Sequence, residues 1–158
     1  MDERGYIELS EGCMPMLYRT AYGILRSTQD AEDATQQALL NAWRYRDRVK
    51  PGAERAWITR ILINECRNIQ RRRMKSYPVA DIPEGEAPQD MPEDNGLRAA
   101  IDALPDSLRT PFLLKYMEEM TAKDIAAAMR LPVASVKNRL FRARKALQKT
   151  LKEEAATV

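Results

Sequence analysis

PVASVKNRLFRARKALQKTLK, residues 132–152, is the stretch that decides the fold class of this 158-residue chain. Its apolar residues recur every three or four positions, as they do along the buried face of an α-helix. They are Val133, Val136, Leu140, Ala143, Leu147 and Leu151. After Pro132 the same stretch carries seven Lys and Arg residues and no acid. The pattern predicts a helix that packs by one face, and like charges so close together need either solvent or an anionic partner.

The residues ahead of this basic helix predict a helix-turn-helix. Thr121 is a candidate N-cap, and Asp124 stands where a capping box carries its acid. Residues 122–129, AKDIAAAM, read as a short helix, with small alanines that let a second helix cross closely, and residues 130–132 read as a brief turn. Two helices joined by so short a turn, the second one basic, form the motif that places its second helix in the DNA major groove. A solvated basic face on an ordinary helical bundle is the alternative.

The polar side of the basic helix carries side chains that suit DNA. Lys137 and Arg142 suit guanine edges and phosphates, and Asn138 suits adenine. Phe141 lies off the apolar arc, where it can touch a thymine methyl group. Other basic residues are better placed to neutralise backbone phosphates, namely Arg139, Arg144, Lys145 and Lys149.

The first 75 residues predict three helices, over about 3–26, 30–46 and 54–73. Beside its apolar stripe the third helix carries a polar stripe, made of Asn64, Arg67, Asn68, Arg71 and Lys75. It ends in three consecutive arginines, which suit a helix C-terminus through its dipole. An anionic partner is the other explanation, because asparagine and arginine side chains bind phosphates and read bases.

Residues 76–97 separate the two helical parts. They contain four prolines, six acids, no Lys or Arg and no hydrophobic period, a composition that cannot order itself by burial. Net charge is +4 over 1–75, −6 over 76–97 and +5 over 98–158. We therefore predict an all-α protein with two small helical domains, 1–75 and 98–158, joined by an acidic, proline-rich linker. Fully extended, that linker reaches roughly 70 Å.

Several classes of function lack their usual residues. The chain has no histidine, no glycine-rich phosphate loop and only two cysteines, Cys13 and Cys66, which fit no metal or redox motif and are expected to be buried free thiols. We expect no catalytic site, no metal and no cofactor. No apolar run approaches the roughly 20 residues of a membrane span, and the first residues resemble no secretory signal, so we expect a cytoplasmic protein that does not insert into membranes.

Three segments together resemble one known family. Residues 30–44 (DAEDATQQALLNAWR), residues 56–73 (AWITRILINECRNIQRRR) and residues 104–147, which include TAKDIAAAMRLPVASVKNRLFRARKAL, are similar in order and content to the bacterial sigma-70 family. The likeness is to its small two-domain members, the extracytoplasmic function (ECF) group. It covers nearly the whole chain. Gln37, Glu119 and Arg130 depart from the family pattern, the last two at positions where the family usually has glycine.

The resemblance implies a sigma factor with three sets of contact residues. Contacts with the clamp helices of the largest subunit of core RNA polymerase would fall on Asp33, Gln36, Leu40, Trp43 and Arg44. Filling of the domain core is the alternative role for Trp43. Contacts with the promoter −10 element would fall on Asn64, Arg67, Asn68 and Arg71. Trp57 is expected in the core, with a wedge that melts DNA as the alternative. Contacts with the −35 element would fall on Ser135, Lys137, Asn138, Arg139, Phe141, Arg142 and Arg144. An anti-sigma protein is a further expected partner.

Two other functions remain open from the sequence. A stand-alone helix-turn-helix regulator would share the basic helix, but would need a dimer interface or a ligand domain. A sigma mimic that titrates an anti-sigma protein would have no need of the base-reading segment SVKNRLFRAR, residues 135–144.

Overall fold

The computed structural model describes residues 1–76 and 96–156, with side chains as far as residue 153, and the regular elements in these residues are all helical. The helices are α1 (Glu3–Leu25), α2 (Thr28–Arg44), α3 (Glu54–Ser76), α4 (Leu97–Asp102), α5 (Asp106–Tyr116), α6 (Ala122–Met129) and α7 (Val133–Ala156), with a 3₁₀ turn at Arg46–Arg48. The predicted all-α class is confirmed. The predicted linker, residues 76–97, falls almost entirely outside the described residues, and the domain boundaries remain predictions.

Side-chain caps set the beginnings of three helices. The Asp2 carboxylate accepts from the Gly5 amide at 2.7 Å, ahead of α1. Ser27 Oγ accepts from the Asp30 amide at 3.2 Å, so α2 begins two residues earlier than predicted. Thr121 Oγ1 accepts from the Asp124 amide at 3.1 Å, which confirms the predicted N-cap of α6. Each cap satisfies an amide that has no partner within its helix.

The first three helices pack closely because the buried residues of α2 are all small. Ala31, Ala34, Ala38 and Ala42 are all fully buried. Arg73, the last of the three arginines of α3, turns inward: its guanidinium pairs with the Asp30 carboxylate and donates to the Leu25 carbonyl at 3.1 Å. Arg73 therefore links the end of α3 to the start of α2. Neither the helix dipole nor an anionic partner, the two explanations offered for the three arginines, included this role.

Helices α4, α5 and α6 pack around α7. Four residues of its predicted apolar arc are buried, namely Val136, Leu140, Ala143 and Leu147, while Val133 and Leu151 at the two ends are partly exposed. In α6, Ala126 is buried as expected but Ala127 faces solvent, and Ala128 takes the buried position. The close crossing therefore uses residues 126 and 128.

The two halves share one hydrophobic core, an arrangement that the sequence left open. Leu17 and Ile63 of the first half belong to the same buried cluster as Leu114, Ile125 and Met129 of the second. Helices α1 and α3 face α5 and α6 across this cluster. No helix among residues 1–76 and 96–156 has both the length and the apolarity needed to cross a membrane.

Candidate nucleic-acid and polymerase interfaces

The outer face of α2 exposes all five residues predicted to contact polymerase: Asp33, Gln36, Leu40, Trp43 and Arg44. Leu40 is the most prominent, because 62% of its surface is open to solvent although the residue is apolar. An exposed leucine flanked by polar groups is the composition expected at the centre of a protein–protein contact.

Trp43 lies on the surface, held between two neighbours. Its ring packs edge-on against Tyr6 at 5.0 Å between centroids, and the Arg46 guanidinium lies 3.8 Å from the ring centre. Tyr6 is fixed in turn by its hydroxyl, which donates to the Leu39 carbonyl at 2.8 Å. The alternative that Trp43 fills the core is wrong, whereas Trp57 is 8% exposed and does lie in the core, as predicted.

A groove of about 640 Å³ runs between α2 and α3. Its α2 wall carries Asp33, Gln36 and Leu40, and its α3 wall carries Asn68 and Arg71. Residues that the sequence assigned separately to polymerase and to DNA therefore line one concave surface.

A second cavity, of about 270 Å³, lies at the start of α3 and has the composition of a base-binding pocket. Asn64, Tyr45 and Arg48 are among its lining residues, and the Arg48 guanidinium stacks 4.5 Å from the centre of the Tyr45 ring. Aromatic and guanidinium planes stack on unpaired bases, and an amide can hydrogen-bond to a base edge. Tyr45 and Arg48 were not predicted from the sequence, although the aromatic and basic residues of YRDR, residues 45–48, are a usable signal.

The exposed face of α7 carries the residues predicted to read DNA bases. Lys137, Asn138, Phe141 and Arg142 are exposed, and Ser135 is half-buried in the first turn of the helix. Half of the Phe141 surface is open to solvent, so burial does not account for this aromatic residue. The spacing of these side chains matches one helix face entering a major groove.

Two further candidates on α7 are hydrogen-bonded to α5. Arg144 donates to the Tyr116 hydroxyl at 2.9 Å, and Arg139 donates to the Ser107 carbonyl at 3.3 Å. Arg139 also lines a cavity of about 160 Å³ together with Arg67, which α3 contributes. Arg139, a candidate for the −35 element, and Arg67, a candidate for the −10 element, thus line the same cavity.

Both positions where the chain lacks the usual glycine keep a left-handed backbone. Glu119 and Arg130 each have φ of 55°. The conformation costs a non-glycine residue about 1–2 kcal/mol. At Arg130 it ends α6, because the amide of Leu131 bonds back to the Ala126 carbonyl at 3.0 Å. The turn therefore has its expected shape, and Arg130 reaches the cavity at Asn64.

The two cysteines are free thiols. Burial, with the nearby Glu65 charge, raises the pKa of the Cys66 thiol to about 12, and burial also raises the pKa of Cys13, which is only partly buried. Within the described part of the chain, no group of histidine, cysteine, aspartate and glutamate residues could hold a metal ion.

Comparison with known proteins decides the family. The family model described as "Sigma-70 region 2" matches residues 9–76, and "Sigma-70, region 4" matches residues 95–147. The RNA polymerase sigma-H factor of Pseudomonas aeruginosa is 34% identical over 80% of this chain and 76% of its own length. This chain belongs to the sigma-70 family. It is an ECF RNA polymerase sigma factor, a protein that directs transcription initiation and is not an enzyme.

Other members of the sigma-70 family match nearly the full chain. The ECF sigma factor SigW of Bacillus subtilis is 27% identical, with coverage of 96% of this chain and 91% of its own. Among solved structures, sigma factor RpoE in complex with anti-sigma factor NepR, from Bartonella quintana, has a TM-score of 0.74 and 26% identity over 88% of this chain and 91% of that one. CnrH in complex with the cytosolic domain of CnrY has a TM-score of 0.71 at 23% identity, over 96% of this chain and 90% of that one, and supports the fold alone.

Proposed function

We propose that this sigma factor binds core RNA polymerase through α2, the promoter −10 element through α3 and the −35 element through α7. One observation carries the proposal: each predicted set of contact residues occupies one helix and lies largely on its exposed face. We assign these activities to two domains, 1–75 and 98–158.

Polymerase docking rests on the α2 face. Exposed Leu40 and the supported ring of Trp43 provide apolar contact area, and Asp33, Gln36 and Arg44 surround them with polar groups. An apolar centre with a polar rim suits a packed protein interface. We assign this face to the clamp helices of the largest polymerase subunit.

Binding of the −10 element rests on α3 and the pocket at its start. Asn64, Arg67, Asn68 and Arg71 are all exposed along one side of the helix. Because Tyr45 and Arg48 stack beside Asn64, we extend the predicted set with these two residues, which can receive a base extruded from a melted duplex.

Binding of the −35 element rests on the α6–α7 helix-turn-helix. Asn138 and Arg142, one turn apart on the exposed side of α7, have the side chains that pair with adenine and guanine in the major groove. Phe141 lies between them in sequence and is also exposed.

An anti-sigma protein is a further proposed partner. One solved structure similar to this chain, sigma factor RpoE with anti-sigma factor NepR, is a complex of this kind. We assign the protein to the cytoplasm, where core polymerase and promoter DNA are present.

Transcription in vitro tests the proposal. The purified protein is mixed with bacterial core RNA polymerase and a pool of genomic promoter fragments, and the transcripts are sequenced. We expect discrete start sites that share upstream elements, and we expect Asn138→Ala with Arg142→Ala to abolish them. Gln148→Ala with Lys152→Ala is the matched control, because it removes an amide and a cation from the far end of the same helix.

Other outcomes favour the alternatives. Polymerase binding without any transcript would contradict promoter recognition and favour a sigma mimic. DNA binding without polymerase binding would contradict docking through α2 and favour a stand-alone helix-turn-helix regulator.

A further inference from the structure

We infer that Tyr6 and Arg46 are positioning residues of the polymerase-binding surface, because they hold the Trp43 ring in a fixed orientation on the outer face of α2. Neither residue belongs to α2, the helix that carries the proposed contact residues. This role rests on the proposed docking of α2 to core polymerase, whereas the position of the ring can be measured without polymerase.

The Trp43 side chain lies near the end of α2, and 37% of its surface is open to solvent. An aromatic ring at an exposed helix position can take more than one rotamer about its side-chain bonds. Binding to a partner removes that freedom, which costs free energy, and a ring that is already held in place loses less of it. The neighbours of Trp43 therefore influence how tightly this residue can bind.

Arg46 covers the ring and is itself fixed by the end of α2. Its guanidinium carbon lies 3.8 Å from the centre of the Trp43 ring, at the distance of a cation–π contact. Nη1 of the same guanidinium donates to the Trp43 carbonyl at 2.8 Å. Basic side chains commonly bond to the last carbonyls of a helix. One guanidinium thus contacts both the ring and the backbone of Trp43, so the cation and the ring are held together.

Tyr6 of α1 packs against the same ring from another helix. The two ring centroids are 5.0 Å apart at an interplanar angle of 64°, which is an edge-to-face arrangement. The Tyr6 hydroxyl donates to the carbonyl of Leu39, one turn before Trp43, at 2.8 Å. Burial raises the pKa of this phenol above its ordinary value of 10.0, so the hydroxyl stays protonated and donates at neutral pH.

The start of α1, the end of α2 and the 3₁₀ turn at Arg46–Arg48 therefore meet at one indole ring. The contacts restrict the ring without burying it, since Trp43 keeps 37% of its surface exposed whereas the core residue Trp57 keeps 8%. A ring that only filled the core would not need to face solvent. Trp43 supplies contact area for a partner, and Tyr6 and Arg46 supply the orientation.

The first test follows the ring itself by fluorine-19 NMR. The chain contains two tryptophans, so protein labelled with 5-fluorotryptophan gives two resonances, and the one that is lost in Trp43→Phe belongs to Trp43. We expect Tyr6→Ala and Arg46→Ala to move this resonance towards the position of free 5-fluorotryptophan and to leave that of Trp57 in place. A Trp43 resonance that stays unchanged in both variants would overturn the inference.

Tyr18→Ala is the matched control. Tyr18 is a partly buried tyrosine of the same helix and packs against the same core cluster as Tyr6. It lies twelve positions further along α1, about 18 Å away at the rise of an α-helix. Its loss should therefore reduce stability without moving the Trp43 resonance. If that resonance moves as far in Tyr18→Ala as in Tyr6→Ala, the effect is a general loosening of the fold and Tyr6 has no positioning role.

The second test measures the affinity of the full chain for immobilised bacterial core RNA polymerase. We expect Tyr6→Ala and Arg46→Ala each to weaken binding about fivefold, because the ring must then be ordered on binding, and Tyr18→Ala to leave the affinity unchanged. Tyr6→Phe keeps the edge-to-face contact and is expected to restore most of the affinity lost in Tyr6→Ala. Equal losses in Tyr6→Phe and Tyr6→Ala would contradict a role for the ring contact.

Trp43→Ala distinguishes the positioning role from the proposed docking. In that background Tyr6→Ala and Arg46→Ala should have no further effect on polymerase affinity, since no ring is left to orient. If Trp43→Ala alone leaves the affinity unchanged, docking through this ring fails, and the positioning role fails with it. If Trp43→Ala weakens binding but Tyr6→Ala and Arg46→Ala act equally with and without the ring, docking stands and the positioning role is wrong.

Discussion

Neighbouring arginines at the end of α3 have different roles. The Arg73 guanidinium is largely buried against Asp30 and the Leu25 carbonyl, whereas Arg71 is exposed and donates to the Asn68 side chain within its own helix. Sequence alone could not separate them, because consecutive residues differ by 100° around a helix and the direction of the core is set by the neighbouring helices.

Substitution of these arginines should separate stability from DNA binding. We expect Arg73→Ala to lower the free energy of unfolding by about 2 kcal/mol, because charged hydrogen bonds in a partly buried place are lost. Arg71→Ala should change it by less than about 0.5 kcal/mol and should weaken DNA binding instead. Urea unfolding and fluorescence anisotropy with labelled DNA measure the two effects, and equal losses of stability would contradict the assignment.

Cys66 should be inert to thiol reagents while the protein is folded. Its pKa of about 12 lies above the ordinary value of 9.0, so the neutral thiol is favoured in the folded state. Stability from this group is present below pH 9 and declines as the pH rises towards 12. A disulfide reagent at pH 8 should modify Cys13 first and Cys66 only after unfolding. Rapid modification of both in the native protein would contradict this prediction.

At the scale of elements, the buried alanines of α2 determine how closely this helix packs against its neighbours. Since Ala31, Ala34, Ala38 and Ala42 are fully buried, the helix lies close to α1 and α3, with no room for longer side chains. The helix positions Leu40 and Trp43 on its outer face, so close packing inside supports the surface proposed for polymerase outside.

Enlarging the inner face of α2 should destabilise the protein. Ala38→Leu is expected to lower the free energy of unfolding by about 1–3 kcal/mol, because the buried position must accept three extra carbons. Gln37→Leu, on the exposed side of the same helix, should change it by less than about 0.5 kcal/mol. Urea unfolding compares the two, and a stable Ala38→Leu variant would show that α2 can move outward.

Most of the helices could be predicted from the sequence, but which helices pack against each other could not. The periods of α3, α6 and α7 and the cap at Thr121 are local features that the sequence states directly. These local features do not say which helices cover each other: Leu114 of α5 and Ile125 of α6 are buried in a cluster shared with the first half of the chain. The groove and pocket at α3 also needed the fold, since their walls come from separate helices.

At the scale of the molecule, two basic surfaces predict strongly salt-dependent DNA binding. We expect the logarithm of the association constant to fall linearly with the logarithm of salt concentration, because each neutralised phosphate releases counterions, with a slope of about −0.9 per contact on duplex DNA. Lys137→Ala should make the slope shallower by about one unit, measured by anisotropy on a promoter fragment. A slope that does not change would show that Lys137 contacts no phosphate.

The missing side chain at position 23 also constrains how relatives of this protein can vary. Gly23 of α1 faces Leu113 of α5, and a Cβ atom at position 23 would lie 2.5 Å from Leu113 Cδ1, so the Leu113 side chain must shift before position 23 can enlarge. Where relatives pack their two halves together in the same way, a larger residue at position 23 should be accompanied by a smaller one at 113. Such paired variation is expected to disappear from lineages whose two halves do not pack together.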